Sequence, residues 1–305
     1  MNILLFGKGG QVGWELQRSL QPLGNLIALD FDSQDGCGDF TNLEGLATTI
    51  ARIKPDIIVN AAAHTAVDKA ESEPGLARTL NALAPGVVAQ AAQRLGAWMV
   101  HYSTDYVFDG SGTTPWREDD PKGPLSVYGQ TKLEGEQLVA ANCQRHLIFR
   151  TSWVYAARGG NFAKTMLRLA RERDTLTVIN DQHGAPTGAD LLADVTAHAL
   201  RQATAVAPPN ASPANTDLAG LYHLVAGGVT TWHGYAQFVL QQAGDAGITL
   251  KAGAAAVQPV PTSAFPTPAQ RPLNSRLDTT RLQQRFGLRL PPWQQGVARM
   301  LTEIL

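Results

Sequence analysis

Short apolar runs separated by longer mixed stretches set the rhythm of the first half of the chain. Residues 3–6 (Ile-Leu-Leu-Phe), 26–29 (Leu-Ile-Ala-Leu), 57–59 (Ile-Ile-Val) and 98–102 (Trp-Met-Val-His-Tyr) are mostly apolar, as strands covered on both faces must be. Between them, 11–21, 43–53, 75–95 and 127–142 place apolar residues at helical spacing and are bounded by Gly, Pro or Asn. Alternation at these lengths predicts βαβ units, and therefore an α/β fold with a Rossmann-type, doubly wound parallel sheet. A further strand is expected at 147–150. Beyond about Thr151 the alternation loosens and Pro, Gly and Thr become more frequent, which predicts a smaller C-terminal α/β lobe. Within that lobe, 203–219 is rich in Ala, Pro, Asn and Ser and reads as an exposed loop before a strand at Leu221–Val225.

Composition narrows the partners. With 25 Lys and Arg against 26 Asp and Glu, the net charge of -1 provides no field for gripping a phosphate polymer, so nucleic acid is not expected. Cys37 and Cys143 are too few for a disulfide framework or a cysteine zinc site and fit a reducing compartment. The first apolar run meets Gly7 and Lys8 too soon for a signal sequence, and no later segment reaches the roughly 18 apolar residues of a membrane span. A soluble, cytoplasmic protein without a membrane partner is expected.

Gly7, Gly10 and Gly13 follow the first strand in a G-x-x-G-x-x-G pattern that opens a helix. Glycines there let the backbone approach a pyrophosphate, while the free N–H groups of the helix start stabilise its charge. Any strand-to-helix turn favours glycine, so two further features carry weight. Asp30 ends the second strand, where a carboxylate can accept hydrogen bonds from an adenosine ribose. Asn60-Ala61-Ala62-Ala63-His64-Thr65 follows the third strand with side chains small enough to lie against a cofactor, or simply to pack. Asp30 disfavours a 2'-phosphate by repulsion without excluding it, and Lys8 lies in the loop; the expected cofactor is NADH or NADPH. On this basis 1–150 is expected to be a dinucleotide-binding domain, completed by parts of 175–203, with the rest of 151–305 mainly a substrate lobe.

Tyr128-Gly129-Gln130-Thr131-Lys132 puts a phenol and an ammonium one helical turn apart on one face. A free tyrosine titrates near about 10, so a cation beside it makes proton transfer feasible nearer neutrality. On its own the spacing also describes a surface pair. Upstream, however, an apolar strand ends in Ser103-Thr104, two hydroxyls at the edge where doubly wound sheets bind ligands. A hydroxyl to orient a ketone, a phenol to protonate it and a nicotinamide to deliver hydride together make a reductase site.

Longer runs carry a resemblance: Met1-Asn2-Ile3-Leu4-Leu5-Phe6-Gly7, Asn60 to Glu71, Ser103-Thr104-Asp105-Tyr106-Val107-Phe108, Arg150-Thr151-Ser152-Trp153-Val154-Tyr155, Gly184-Ala185-Pro186-Thr187 and Arg271 to Asp278. In these the whole chain resembles the extended short-chain dehydrogenase/reductases, in the branch that acts on dTDP-linked 4-keto-6-deoxyhexoses. The resemblance implies NAD(P)H-dependent reduction of the 4-keto group of dTDP-4-dehydrorhamnose to dTDP-L-rhamnose. It implies Tyr128 as proton donor, Lys132 as its pKa-lowering partner and ribose ligand, and Thr104 as the residue tuning the tyrosine. Gly10, Gln11, Val12, Asp30, Asp39, Phe40, Ala63, His64 and Thr65 are implied to contact the cofactor. Thr104, Asp105 and Trp153 are implied to contact the substrate, Trp153 offering a flat apolar face to a deoxysugar and Arg271 a guanidinium fork to a diphosphate. Some members pair as homodimers around a magnesium ion held by three glutamates; the matching positions here are Glu15, Asp190 and Gln294, which weakens the Mg2+ site. Two rivals share parts of this pattern: a sibling nucleotide-sugar reductase or epimerase, and a non-catalytic binding subunit such as the regulatory subunit of methionine adenosyltransferase. The intact Thr104, Tyr128 and Lys132 argue against the second.

Overall fold

The computed structural model describes residues 1–205 and 218–305. Its first half runs β1 (Asn2–Phe6), α1 (Gln11–Leu20), β2 (Asn25–Leu29), α2 (Leu43–Ile53), β3 (Ile57–Asn60), α3 (Val67–Ser72), α4 (Pro74–Arg78), α5 (Ala84–Leu95), β4 (Trp98–Thr104), α6 (Val127–Asn142) and β5 (His146–Thr151). The second half runs β6 (Val154–Tyr155), α7 (Phe162–Glu172), β7 (Leu176–Ile179), β8 (His183–Gly184), β9 (Thr187–Gly188), α8 (Ala189–Ala203), β10 (Gly220–His223), β11 (Thr230–Thr231), α9 (Trp232–Asp245), β12 (Val257–Val260), α10 (Thr280–Phe286) and α11 (Trp293–Ile304). Residues 206–217 of the expected 203–219 loop lie outside the described residues.

Six strands form one sheet in the order β2-β1-β3-β4-β5-β10, with every pairing parallel. The chain leaves β1 for β2 and returns to β3 on the other side of β1, and this reversal opens a crevice at the carboxyl ends of the strands. Along β1, Ile3 and Leu5 enter one core cluster while Leu4 and Phe6 enter another, which explains why the run is apolar without alternation. The Ile3 side is covered by Leu16 and Leu20 of α1, by Leu192, Ala199 and Leu200 of α8 and by Leu282 and Phe286 of α10. The opposite side is covered by Ile50, Val88, Ala92 and Val139. A third cluster gathers α7, α9 and α11 with β7 and β12 around Met166, Val178, Tyr235, Val239, Val297 and Leu301.

The sheet takes its edge strand β10 from beyond the 175–203 stretch expected to complete the first domain, and α8, within that stretch, is tied to α1 by Asp194, whose Oδ1 accepts from Arg18 (2.9 Å) and Ser19 (2.5 Å). The expected helix 75–95 is interrupted by a π-helical turn, Thr79–Leu83. Pro85 has no N–H for the Asn81 carbonyl and its ring would press on it, so the backbone widens there. The freed Asn81 carbonyl meets α6 at Gly135, where a Cβ would lie 2.0 Å from its oxygen.

Candidate active site

The glycine turn is built for close approach. Gly7 has φ +83°, and a Cβ there would lie 2.7 Å from Ala62 N; a Cβ on Gly13 would lie 1.9 Å from the Gly7 carbonyl oxygen. The Ala61–Ala62 backbone thus packs directly on the turn. Helix α1 begins at Gly10 without a side-chain cap, leaving its first N–H groups to a ligand, and the buried Gln11 Oε1 has no partner. This turn fits the pyrophosphate of a dinucleotide. Asp30 accepts from Gly9 N at 2.8 Å and from Phe31 N at 3.0 Å, so it holds the glycine turn against the end of β2.

Other expected cofactor residues divide. Asp39 accepts from both the backbone N–H and the hydroxyl of Thr41 at 2.8 Å. Phe40 is only 4% exposed and lies edge-on to Phe6 at 5.4 Å. Its ring is core, and what it offers a ligand is its backbone. Ala63, His64 and Thr65 follow β3, with the His64 backbone clamped in both directions by the buried Asn81 side chain (2.8 and 3.2 Å). Asn81 also donates to Thr131 at 3.1 Å, which joins this loop to α6.

At the end of β4, the Thr104 hydroxyl donates to Asp105 Oδ1 (3.0 Å) and accepts from Tyr106 N (3.2 Å). Helix α6 starts at Ser126, whose Oγ accepts from Gly129 N at 3.2 Å, and Glu71 accepts from Val127 N at 2.9 Å. A Cβ on Gly129 would lie 2.3 Å from the Tyr106 carbonyl, so the first turn of α6 sits flush against the segment after β4. Tyr128 is thereby brought to Thr104. Burial raises the phenol pKa, the hydrogen bond with Thr104 opposes it, and Asp105 and Tyr106 raise it further. Lys132 is buried one turn on, donates to the Tyr102 carbonyl at 2.6 Å and lies 3.4 Å from His101 Nε2. Burial pushes its ammonium down to about 8, with Glu136 pulling the other way. Thr104 lowers the Tyr128 phenol directly, while the Lys132 ammonium spends one of its three donors on the Tyr102 carbonyl and keeps two for the site.

Next to these groups lies a cavity of about 280 Å³ lined by Tyr106, Phe162, Gln182, Trp232, Phe265 and Arg271 among others. Tyr106 belongs to both regions, since its ring is edge-on to Tyr128 at 5.5 Å. Trp153 adopts φ +50° and stacks on Trp232 with centroids 3.7 Å apart, in room that Gly184 leaves open. Arg271 donates to Asp68 at 2.7 Å, while its buried Nη1 has no partner. Asp105 is 2% exposed, and burial drives it up to about 6 against hydrogen bonds from Ser275 and Thr104. Tyr106, Trp232, Asn81 and His101 were given no role by the sequence, although His101 and Tyr106 each lie two positions from the Ser103-Thr104 hydroxyl pair.

The whole chain, residues 1–305, matches the family described as RmlD substrate binding domain. The chain belongs to that family. It is 64% identical over 304 residues to the dTDP-4-dehydrorhamnose reductase of Salmonella typhimurium and 62% identical over 304 residues to that of Escherichia coli strain K12, covering 100% of this chain and 98% of each relative. Among solved structures, a Clostridium acetobutylicum dTDP-4-dehydrorhamnose reductase superposes with a TM-score of 0.88 at 34% identity, covering 100% of this chain and 99% of that one. The Bacillus anthracis dTDP-4-dehydrorhamnose reductase, solved in complex with NADP, gives 0.85 at 33% identity, with 99% of each chain covered. The UDP-glucose 4-epimerase of Thermus thermophilus shares the fold, at 18% identity and a TM-score of 0.76 with 100% of this chain and 99% of that one covered.

In this member of the RmlD substrate binding domain family, the expected magnesium ligands Glu15 and Asp190 line one cavity together with Arg18, Arg299 and Glu303. Glu15 pairs with Arg18 at 3.5 Å and Asp190 with Arg299 at 3.2 Å, so guanidinium groups supply the countercharge there. Gln294 does not line that cavity, and among the described residues no group of three or more His, Cys, Asp or Glu is placed to hold a metal. The magnesium expectation is not carried forward. Among the described residues no helix is long and apolar enough to cross a membrane.

Proposed function

We propose that this protein reduces the 4-keto group of dTDP-4-dehydrorhamnose to dTDP-L-rhamnose with NADPH or NADH, the last step in forming that nucleotide sugar. The observation that carries the reading is the meeting of Thr104, Tyr128 and Lys132 at the carboxyl edge of the sheet, beside a glycine turn shaped for a dinucleotide. Residues 1–150 together with α8 are assigned to the cofactor, and the greater part of 151–305 to the substrate. Gly7, Gly10, Gln11, Val12, Gly13 and the Ala63–Thr65 loop would hold the dinucleotide, whose reduced nicotinamide supplies a hydride when bound. On substrate binding the Thr104 hydroxyl would turn its proton from Asp105 Oδ1 to the ketone oxygen and orient it, and Tyr128 delivers a proton to that oxygen as it gains charge. Lys132, as the ammonium, stabilises the phenolate that Tyr128 leaves behind. The aromatic cavity receives the dTDP-sugar: Trp153 on Trp232 offers an apolar face, and the unpaired Nη1 of Arg271 is available to a diphosphate oxygen. Asp30 repels a 2'-phosphate, but its charge is partly spent on Gly9 N–H, so both cofactors are expected to serve.

The test is oxidation of NADPH and of NADH by purified protein with dTDP-4-dehydrorhamnose, compared with GDP- and UDP-linked 4-keto sugars. Turnover with the dTDP-sugar and formation of dTDP-L-rhamnose is the expected result. No nicotinamide oxidation with that substrate, or faster turnover of another nucleotide's sugar, overturns the reading.

A further inference from the structure

Beneath the catalytic edge a row of buried polar groups crosses two neighbouring strands, β3 and β4, and reaches Lys132 on α6. The backbone N–H of Ala62 donates to Asn60 Oδ1 at 3.0 Å, which fixes the orientation of that side-chain amide. Asn60 Nδ2 then faces His101 Nδ1 at 3.1 Å, and His101 Nε2 faces Lys132 Nζ at 3.4 Å. Asn60 is 1% exposed, His101 0% and Lys132 2%, so bulk water does not compete for these bonds.

The row has a donor at each end. An amide and a neutral imidazole each pass a hydrogen bond on, accepting with one atom and donating with the other. Starting from Ala62 N–H, Asn60 accepts and then donates to His101 Nδ1, which leaves the imidazole proton on Nε2, pointing at Lys132. An ammonium has three donors and no acceptor. One mismatch of donor against donor therefore persists wherever the amide and the ring tautomer are set, as long as Lys132 is charged. The neutral amine removes it, because its lone pair accepts from His101 Nε2–H while its own hydrogens still serve Tyr102 and the site. Protonating His101 is no escape: burial and the neighbouring Lys132 hold its pKa well below the ordinary range.

We infer that Asn60 and His101 act as positioning residues that set the charge state of Lys132, biasing it toward the amine so that it exchanges its proton near the pH of turnover. This rests on the assignment of Lys132 to the reductase site. The groups facing the Lys132 ammonium are His101 and the Tyr102 carbonyl from β4, and Glu136 from its own helix, the last favouring the ammonium. Its displacement to about 8 agrees in direction.

The tautomer can be read in the wild-type protein without reference to activity, from nitrogen NMR of histidine-labelled enzyme. His101 carrying its proton on Nε2, with Nδ1 bare, is expected; a proton on Nδ1 overturns the inference whatever the substrate proves to be. The second arm compares pH profiles of kcat/KM. In Asn60→Asp the carboxylate only accepts, so His101 moves its proton to Nδ1, Nε2 accepts from the ammonium, and the alkaline limb shifts up by roughly one pH unit. His101→Gln still passes one bond on, keeps the mismatch, and is expected to leave the limb in place. A merely structural role lowers kcat in both and moves neither limb, and an unmoved limb in Asn60→Asp overturns the inference. A wild-type enzyme inactive on dTDP-4-dehydrorhamnose with the Nε2–H tautomer intact would instead fail the functional reading alone.

Discussion

Thr104 and Tyr128 stand at the ends of regular elements pinned by hydrogen bonds, whereas Trp153 lies on the short link between β5 and β6 and is held by ring stacking on Trp232, the first residue of α9. The first region is anchored in the six-stranded sheet; the second belongs to chain that folds back over it. Groups that must lie within hydrogen-bond reach of a reacting atom are placed on rigid strands and helices. A group that only needs to present a surface, such as the Trp153 ring, can sit on a link and take its orientation from the neighbour it stacks on. Changes at the edge are therefore expected to act on rate and stability, and changes in the cavity on affinity.

Tyr128→Phe is the strongest way to break this division. It keeps the ring against Tyr106 and removes the proton, so kcat should fall about 10²- to 10⁴-fold while nicotinamide binding, read by fluorescence titration, is retained. Wild-type turnover would remove the phenol from the mechanism. Next in size is Glu136→Ala. Arg150 meets Glu136 through two hydrogen bonds of 2.8 and 2.6 Å, with both side chains at most 4% exposed, and this pair ties α6 to β5 behind Lys132. Leaving the guanidinium buried and unpaired should cost about 3–5 kcal/mol in chemical denaturation. Glu134→Ala, two positions away in a pair with the exposed Arg78, should leave the transition near wild type. Equal effects would mean that the edge is not held from beneath.

How much of this the sequence could say depends on reach. The strands at 2–6 and 57–60 and the Tyr128–Lys132 face were legible because their signals are local: a short apolar run, or two residues one turn apart. The glycine turn was legible because backbone approach excludes a Cβ at Gly7 and Gly13. The π turn was hidden, since Pro85 in a helical pattern announces a disturbance and not its form. Asn81, His101 and Trp232 stayed invisible because their roles arise from partners brought near by the fold: Asn81 with His64 and Thr131, His101 with Asn60 and Lys132, Trp232 with Trp153. The edge-on packing of the Phe40 ring on Phe6 was equally out of reach, because the two lie far apart in sequence.

Asp105 joins the two regions and yields a prediction of smaller size. Its folded pKa of about 6 lies above the ordinary 3.8, so the native state binds more protons than the unfolded chain between those values. The burial penalty is then fully present above about pH 6 and relieved as pH falls toward 4. Asp105→Asn removes the charge and should stabilise the fold by about 1–3 kcal/mol at pH 7.5, an advantage that shrinks across the 6-to-4 window. Turnover should change less than stability, because the amide Oδ1 still accepts from the Thr104 hydroxyl. Unfolding curves at pH 7.5 and 4.5 check the sign. A variant less stable at pH 7.5 would show that hydrogen bonds to Asp105 outweigh its desolvation.

Trp232→Ala tests the cavity with the smallest expected effect. The Trp153 backbone is held in the left-handed region, and its indole lies 15° from parallel to that of Trp232, which is also fixed by a 3.0 Å bond from Nε1 to Gln182 Oε1. Removing the lower ring leaves Trp153 where its backbone puts it but frees its indole to turn. A stacked pair contributes about 0.5–1.5 kcal/mol beyond area burial, equivalent to roughly 2- to 10-fold in binding. KM for the dTDP-sugar should rise by that factor while kcat stays within about twofold, since neither Thr104 nor Tyr128 touches Trp232. If kcat falls as far as in Tyr128→Phe, the stacked rings align the ketone as well as hold the sugar, and the boundary between edge and cavity moves to include them.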